Sequence, residues 1–367
     1  MSKIWKVGVV GLSIGRSHII EGYQNNRTHY QVLAVCDLNE ERLNAVANEF
    51  SVERRTMSFE ELLAMPDIDI VDICTPPSLH VPMAIAALRA GKHVVCEKPL
   101  ASSLADADQL AEVVKETGRQ LMPIFQYRYG NGVMKAKHMI EQGIAGKPYM
   151  ATVETAWKRT PEYYAVPWRG KWDTEFGGVL VSHAIHIHDM LTFLMGPVAS
   201  VFCRTATRVN AIEVEDCAAA TLTLESGALA TLSATLGSQR EISRLRLCFE
   251  NVTFESSLEP YQPGNDPWAI IAASPEVQER IDVALMGWTD VPSRFAGLMQ
   301  RFHRALDEGA PMPVTPTDAR RSLELVTALY HSSETDTIVT LPIGPDHPKY
   351  ANWRPHVISG QRIAATA

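Results

Sequence analysis

Short aliphatic runs alternate with amphipathic stretches over the first third of the chain. The runs at 6–10, 31–36, 70–74, 93–96 and 121–124 have the length and β-branched content of strands buried on both faces. The stretches between them, 17–25, 40–50, 59–65, 81–90 and 104–117, repeat apolar residues at helical spacing. Gly91 and Gly118 each stand just before a strand, where a helix C-cap favours a residue tolerant of positive φ. This alternation predicts a parallel sheet wound by crossover helices.

After Tyr127-Arg128-Tyr129-Gly130 the rhythm changes. A helical stretch at 133–142 is stopped by Gly143, and strand patterns follow at 149–157, 198–208, 217–224, 228–236 and 245–249. Glu225-Ser226-Gly227 reads as a hairpin turn between two of them. Strands in succession predict a second, mostly antiparallel domain, with late helices at 294–308 and 317–335 and an extended tail from Pro345. The expected division is 1–127, 128–345 and a tail over 346–367.

Composition supports two globular domains: 367 residues, 46% apolar and 21% charged. A formal charge of −8 offers no basic field for a polyphosphate backbone, so nucleic acid is excluded as the expected partner and a small metabolite is favoured. The six cysteines lack CxxC spacing, and several fall in strand-like runs where a free thiol packs as a small hydrophobe, which suits a reducing cytoplasm. The N-terminal apolar stretch is too short for a signal segment, and no run approaches the ~18 apolar residues of a membrane span.

Candidate chemistry gathers at the ends of the predicted strands. Gly8-Val9-Val10-Gly11-Leu12-Ser13-Ile14-Gly15 follows the first strand and opens a helix, where glycines let backbone approach a pyrophosphate. Ser13 takes the position of the middle glycine of the usual GxGxxG spacing, so Gly8, Gly11, Ser13, Ile14 and Gly15 are the expected phosphate-loop residues. Asp37 ends the second strand, where a carboxylate accepts from a ribose 2′-OH and repels a 2′-phosphate. No basic residue follows it directly, which favours NAD over NADP. Thr75-Pro76, with His80 a turn later, and Glu97-Lys98-Pro99 follow later strands at the edge where open α/β sheets bind ligands.

Far downstream lies Ser182-His183-Ala184-Ile185-His186-Ile187-His188-Asp189. On one continuous helix, Ser182, His183 and Asp189 would share a face with His186, and His188 would point away as a satisfied packing residue. A neutral imidazole at His186 can take a substrate proton near its ordinary pKa of ~6.5 while Lys98 stabilises the alkoxide. The same spacing permits a metal on His183, His186 and Asp189; the metal-free reading is preferred, because such pairs arise easily by chance. Upstream of this helix, Trp157, Arg159, Tyr163, Tyr164, Trp168, Arg169 and Trp172 suggest a substrate rim, since aromatic faces stack on sugar rings and arginine forks to hydroxyls or a carboxylate. Tyr127, at the expected hinge, is a further wall candidate.

Together the glycine loop, Asp37, Thr75-Pro76 with His80, Glu97-Lys98-Pro99 and the helix with His186 resemble the Gfo/Idh/MocA oxidoreductases, the family of glucose-fructose oxidoreductase and inositol dehydrogenase. The resemblance covers nearly the whole chain. It implies an α/β fold, an N-terminal Rossmann domain plus a C-terminal α/β domain with a large, mostly antiparallel open sheet that serves as a homodimer or homotetramer interface. It also implies NAD(P)-dependent oxidation or reduction of a sugar, a polyol or a derivative of one. The family's catalytic lysine matches Lys98, and its histidine, counted from Gly177-Gly178, matches His186. The aspartate the family carries four residues before that histidine is Ser182 here, so His183 or another acid must fill its place. Two other functions fit the same residues: NAD-assisted elimination of a glycosidic group, and a non-catalytic NAD sensor. A sensor needs neither Lys98 nor His186.

Overall fold

A computed structural model describes residues 3–355; residues 356–367, the end of the expected extended tail, lie outside them. Its first sheet has six strands: β1 (Trp5–Val10), β2 (Tyr30–Cys36), β3 (Arg54–Thr56), β4 (Ile70–Ile73), β5 (His93–Cys96) and β6 (Leu121–Pro123). They run in the order β3-β2-β1-β4-β5-β6 with every neighbouring pair parallel. That is the doubly wound dinucleotide-binding order, in which the chain reverses direction of build between β1 and β4 and opens a crevice at their carboxyl ends. β1, β4 and β5 are buried nearly throughout, as their continuous aliphatic runs require.

The second sheet has eight strands: β7 (Pro148–Lys158), β8 (Val198–Ala206), β9 (Cys217–Leu224), β10 (Leu229–Thr235), β11 (Gly237–Phe249), β12 (Val252–Glu255), β13 (Ala269–Ala272) and β14 (Val339–Thr340). Their order is β13-β12-β11-β7-β10-β9-β8-β14, antiparallel except for the β7–β10 pair. The hairpin at Glu225-Ser226-Gly227 joins β9 to β10, with Gly227 N–H donating to Leu224 O. Helices Ile185–Met195 and Pro316–Thr335 cover one face. Helix Pro316–Thr335 starts at a capping box in which the Thr315 hydroxyl and Asp318 serve each other's backbone. From this helix Arg320 reaches Asp108 of helix Leu104–Thr117 at 2.6 Å, joining the two layers.

The structure departs from the sequence expectation at several edges. The first helix begins at Leu12 rather than near 17, directly after Gly11, so Ser13, Ile14 and Gly15 belong to its opening turn. β11 starts at Gly237, well before 245, because its early residues alternate polar side chains toward solvent and carry little apolar signal. Helix Pro275–Leu285 was invisible for a similar reason: Ile281 is its only fully buried residue. The tail does not stand free. Trp353 is buried, its indole N–H donating to Phe176 O at 2.6 Å, and Tyr350 O accepts from Leu104 N–H.

Candidate active site

The glycine loop sits at the carboxyl end of β1. Gly11 has φ of 85°, and a Cβ there would fall 2.6 Å from the Cys74 carbonyl oxygen, so only glycine lets the loop pass so close to the end of β4. Ser13 and Ile14 are exposed in the first helical turn, where N–H groups have no preceding turn to bond. Gly15 packs on Val9. Gly8 lies inside β1 and faces Ile68 and Leu62, so its small size serves core packing and not the loop.

Asp37 is buried at the end of β2 with both carboxylate oxygens engaged. Leu12 N–H donates to one at 2.7 Å and Asn39 N–H to the other at 2.8 Å. The expectation of no basic group beside Asp37 is corrected by Arg42, which comes back across one helical turn and forks onto both oxygens at 2.8 Å. Burial would raise the Asp37 pKa, but these donors hold it below the ordinary carboxylate value.

Thr75 and Pro76 lie partly open beside the glycine loop. His80, expected as a candidate to face the cofactor, is instead buried, with its two ring nitrogens 2.7 Å from Pro99 O and 2.8 Å from Thr75 O. It braces the loop after β4 against the one after β5.

That second loop carries Glu97 and Lys98. Glu97 is buried against His18, whose Nε2 lies 2.9 Å from its carboxylate while Nδ1 lies 2.9 Å from Asp72. Tyr23 also donates to Asp72, and Cys74 Sγ approaches both His18 and Asp72. Burial opposes charge on His18, Tyr23, Cys74 and Glu97. The His18 partner nonetheless holds Glu97 down to about 2, and Asp72 raises His18 well above its ordinary value. The other Glu97 oxygen accepts the backbone N–H of Lys98 at 3.0 Å, so the cluster fixes the root of the lysine.

Lys98 Nζ donates to the Ser182 carbonyl at 2.6 Å. The helix expected to run unbroken through the histidines is interrupted: Val179–Ser182 is one short helix, His183 leaves helical geometry, and Ile185–Met195 is the next. Ser182 therefore turns its hydroxyl to Glu175, which accepts at 2.7 Å, and the other Glu175 oxygen accepts Gly170 N–H at 2.5 Å. Glu175 is the acid near Lys98 that sequence reasoning missed. Burial raises its pKa against those donors and the nearby positive charges.

His186 is buried, its ring stacked on Tyr127 with centroids 4.4 Å apart, and its Nδ1 has no partner among the described residues. Tyr127 is itself buried and donates its hydroxyl to Pro260 O. Burial, then the charge of Lys98, lowers the His186 pKa well below the ordinary value, so its ring stays neutral. His183 Nε2 accepts from Arg159 Nε at 3.2 Å and lies 3.3 Å from the Tyr163 hydroxyl. Asp189 is turned away from the imidazoles and forks with Arg128 at 2.7 and 2.5 Å, fastening the helix. His188 is buried, as expected for a packing residue, but neither ring nitrogen has a partner among the described residues, so it is not the satisfied histidine the spacing suggested.

Of the rim candidates, Trp157 is buried edge-on to His183 and donates to Ser243, and Arg159 lies over the Trp157 and Tyr163 rings. Arg169 lies over Tyr163 and Trp168 and forms no ion pair among the described residues. Trp172 packs on Tyr330 and donates to Glu213 O.

The pattern of an NAD-binding Rossmann oxidoreductase family matches residues 5–125, and that of the GFO/IDH/MocA C-terminal domain matches 133–255. The chain belongs to the Gfo/Idh/MocA oxidoreductase family. It is 31% identical over 236 residues to myo-inositol 2-dehydrogenase of Thermotoga maritima, covering 62% of this chain and 67% of that protein. It is equally similar, 31% over 240 residues, to the uncharacterized oxidoreductase YrbE of Bacillus subtilis, covering 63% and 67%. Its fold matches that of the WlbA dehydrogenase from Bordetella pertussis in complex with NADH and UDP-GlcNAcA. The TM-score is 0.82 at 28% identity, covering 94% of this chain and all of that one. Among the described residues no helix is long and apolar enough to cross a membrane.

Proposed function

We propose that this member of the family is an NAD-dependent dehydrogenase or reductase acting on a hydroxyl or keto carbon of a sugar, cyclitol or sugar derivative. The observation that carries the reading is the Lys98–Ser182 bond, which joins the lysine at the end of β5 to the turn bearing His183 and His186. The pinched loop at Gly11, the exposed first turn at Ser13 and Ile14, and Asp37 fit a dinucleotide with its pyrophosphate at the helix start and its ribose at the end of β2. When bound, NAD supplies the hydride acceptor.

This chain's residues then handle the proton. Lys98 donates to the substrate oxygen as negative charge grows there, a partly buried ammonium being worth more in a site of low dielectric than in water. His186, neutral and with Tyr127 holding its ring plane, accepts the hydroxyl proton. Glu175 positions the turn through Ser182 and keeps negative charge near Lys98, the place the family gives to an aspartate. His183 and Arg159 form the wall beside the reacting carbon. The related myo-inositol dehydrogenase and the NADH complex of WlbA support a polyhydroxylated substrate. Residues 1–127 and 128–345 serve as the cofactor and substrate units, and the solvent-facing side of the eight-stranded sheet, where Met150 and Leu229 lie side by side, serves self-association.

The test is a screen of polyols, aldoses, cyclitols and glycosides with NAD, reading NADH and released aglycone together. Accumulating NADH without aglycone supports the dehydrogenase. Aglycone release with no net NADH would replace it with the elimination cycle.

A further inference from the structure

The chain is acidic overall, with a formal charge of −8, yet Arg159 and Arg169 both lie over the Tyr163 ring and their charges act on Lys98. Arg159 is fully employed: it donates to His183, Lys158 O, Glu241 and the Tyr261 hydroxyl. Arg169 is not. No group among the described residues accepts from its guanidinium, and its Nε is sealed from solvent without a partner. The guanidinium carbon lies 3.7 Å over the Tyr163 ring and 4.8 Å over the Trp168 ring, which hold the plane and leave its donors to be met by a ligand.

Its position relative to the chemistry is fixed by a short covalent and hydrogen-bonded path. Gly170, the next residue, donates to Glu175, Glu175 accepts from Ser182, and Ser182 O holds Lys98 Nζ. Tyr163, under the guanidinium, touches His183. Glu175 acts on Lys98 and Arg169 through its charge, but its oxygens accept from Gly170 and Ser182 and take no hydrogen bond from the Arg169 guanidinium. The Arg159 and Arg169 charges both depress the basicity of Lys98 and His183. The guanidinium of Arg169 is left without an acceptor among the described residues, and a planar fork of this kind matches a carboxylate in particular.

We propose that the substrate is a sugar acid, whose carboxylate is bound by the free fork of Arg169 while one of its hydroxyls lies between Lys98 and His186. This rests on the dehydrogenase reading above.

The test compares matched pairs with NAD: D-gluconate against D-glucitol and D-glucuronate against D-glucose, with D-glucose 6-phosphate as the phosphate arm. The acids should be favoured in kcat/KM, and Arg169→Gln should cut the acid-to-neutral ratio by about 10- to 100-fold, with Arg169→Lys recovering part of it. Unchanged NADH binding in the variants shows that they are folded. A neutral preference in wild type, or a ratio indifferent to Arg169→Gln, would overturn the carboxylate assignment, as would a preference for the phosphate ester. Calorimetric titration of the NADH-loaded protein with gluconate and glucitol reads the site without turnover. If no compound is oxidised but gluconate still binds more tightly and loses that advantage in Arg169→Gln, the acid site stands and the dehydrogenase reading falls. Equal binding of the two would overturn the acid site itself.

Discussion

The ammonium nitrogen of Lys98 lies 2.6 Å from the carbonyl oxygen of Ser182, so a lysine at the end of a Rossmann strand is tied to the turn that presents His183 and His186. The end of β5 and that turn are thereby joined by a hydrogen bond, and the lysine's charge is set by groups from both sides. Burial lowers the Lys98 pKa from 10.5, while Glu97 and Glu175 act against that fall.

Lys98→Ala should lower kcat by roughly 10²- to 10⁴-fold, the range for acid-base and electrostatic groups, and leave NAD affinity within a few-fold. Steady-state kinetics and NADH fluorescence titration check this. Wild-type turnover in the variant would remove Lys98 from the chemistry.

The pH profile of oxidation should be a bell displaced downward at both ends. His186 must be neutral to accept a proton, and its folded pKa is well below 6.5, so the acid limb falls below that value. Lys98 must be charged to steady the alkoxide, so the alkaline limb falls below 10.5. Glu175→Gln removes a charge that raises the Lys98 pKa, so it should move the alkaline limb lower still. An unmoved limb would mean that Glu175 does not act through Lys98.

Stability should carry the signature of the His18 cluster. Glu97 is held at about 2 against an ordinary 4.5, so its contribution is present above 4.5 and lost as pH falls through 2. His18 is raised above 6.5, so its contribution is complete below 6.5 and is lost as pH rises through the higher folded value. The stability lost in His18→Leu, read by urea unfolding, should therefore peak between these limits, at about 3–5 kcal/mol for a broken buried ion pair. A loss that is flat across pH would contradict the cluster's charge state.

What the sequence made legible follows from physical reach. β1, β4 and β5 announced themselves because strands buried on both faces need unbroken aliphatic runs, and Glu97-Lys98-Pro99 stood at the end of one. Glu175 and His18 left no such trace. Glu175 lies in a loop with no periodicity and gains its role only when Gly170 and Ser182 close on it. His18 meets Glu97 across 79 residues, and Arg42 reaches Asp37 from the first turn of the helix Glu40–Glu49. The broken helix at His183 also defeated the assumption that helical spacing decides which side chains face His186.

Cofactor choice should hinge on the Asp37–Arg42 pair. Wild type should prefer NAD, because Asp37 both repels a 2′-phosphate and occupies the nearest arginine. Asp37→Ser frees Arg42 and should raise kcat/KM for NADP relative to NAD by at least about 10-fold, a change of roughly 1.4 kcal/mol. An unchanged ratio would mean that the ribose does not lie at the end of β2.

The central claim is that Lys98 and His186 act on one substrate oxygen, and a double-mutant cycle in kcat tests it most directly. With Lys98→Ala, His186→Ala and the pair measured on the best substrate, groups that serve one transition state should be strongly non-additive. The double variant should then fall no more than about 10-fold below the worse single variant. Losses that multiply in full would contradict the account, because they would mean that the two residues act independently.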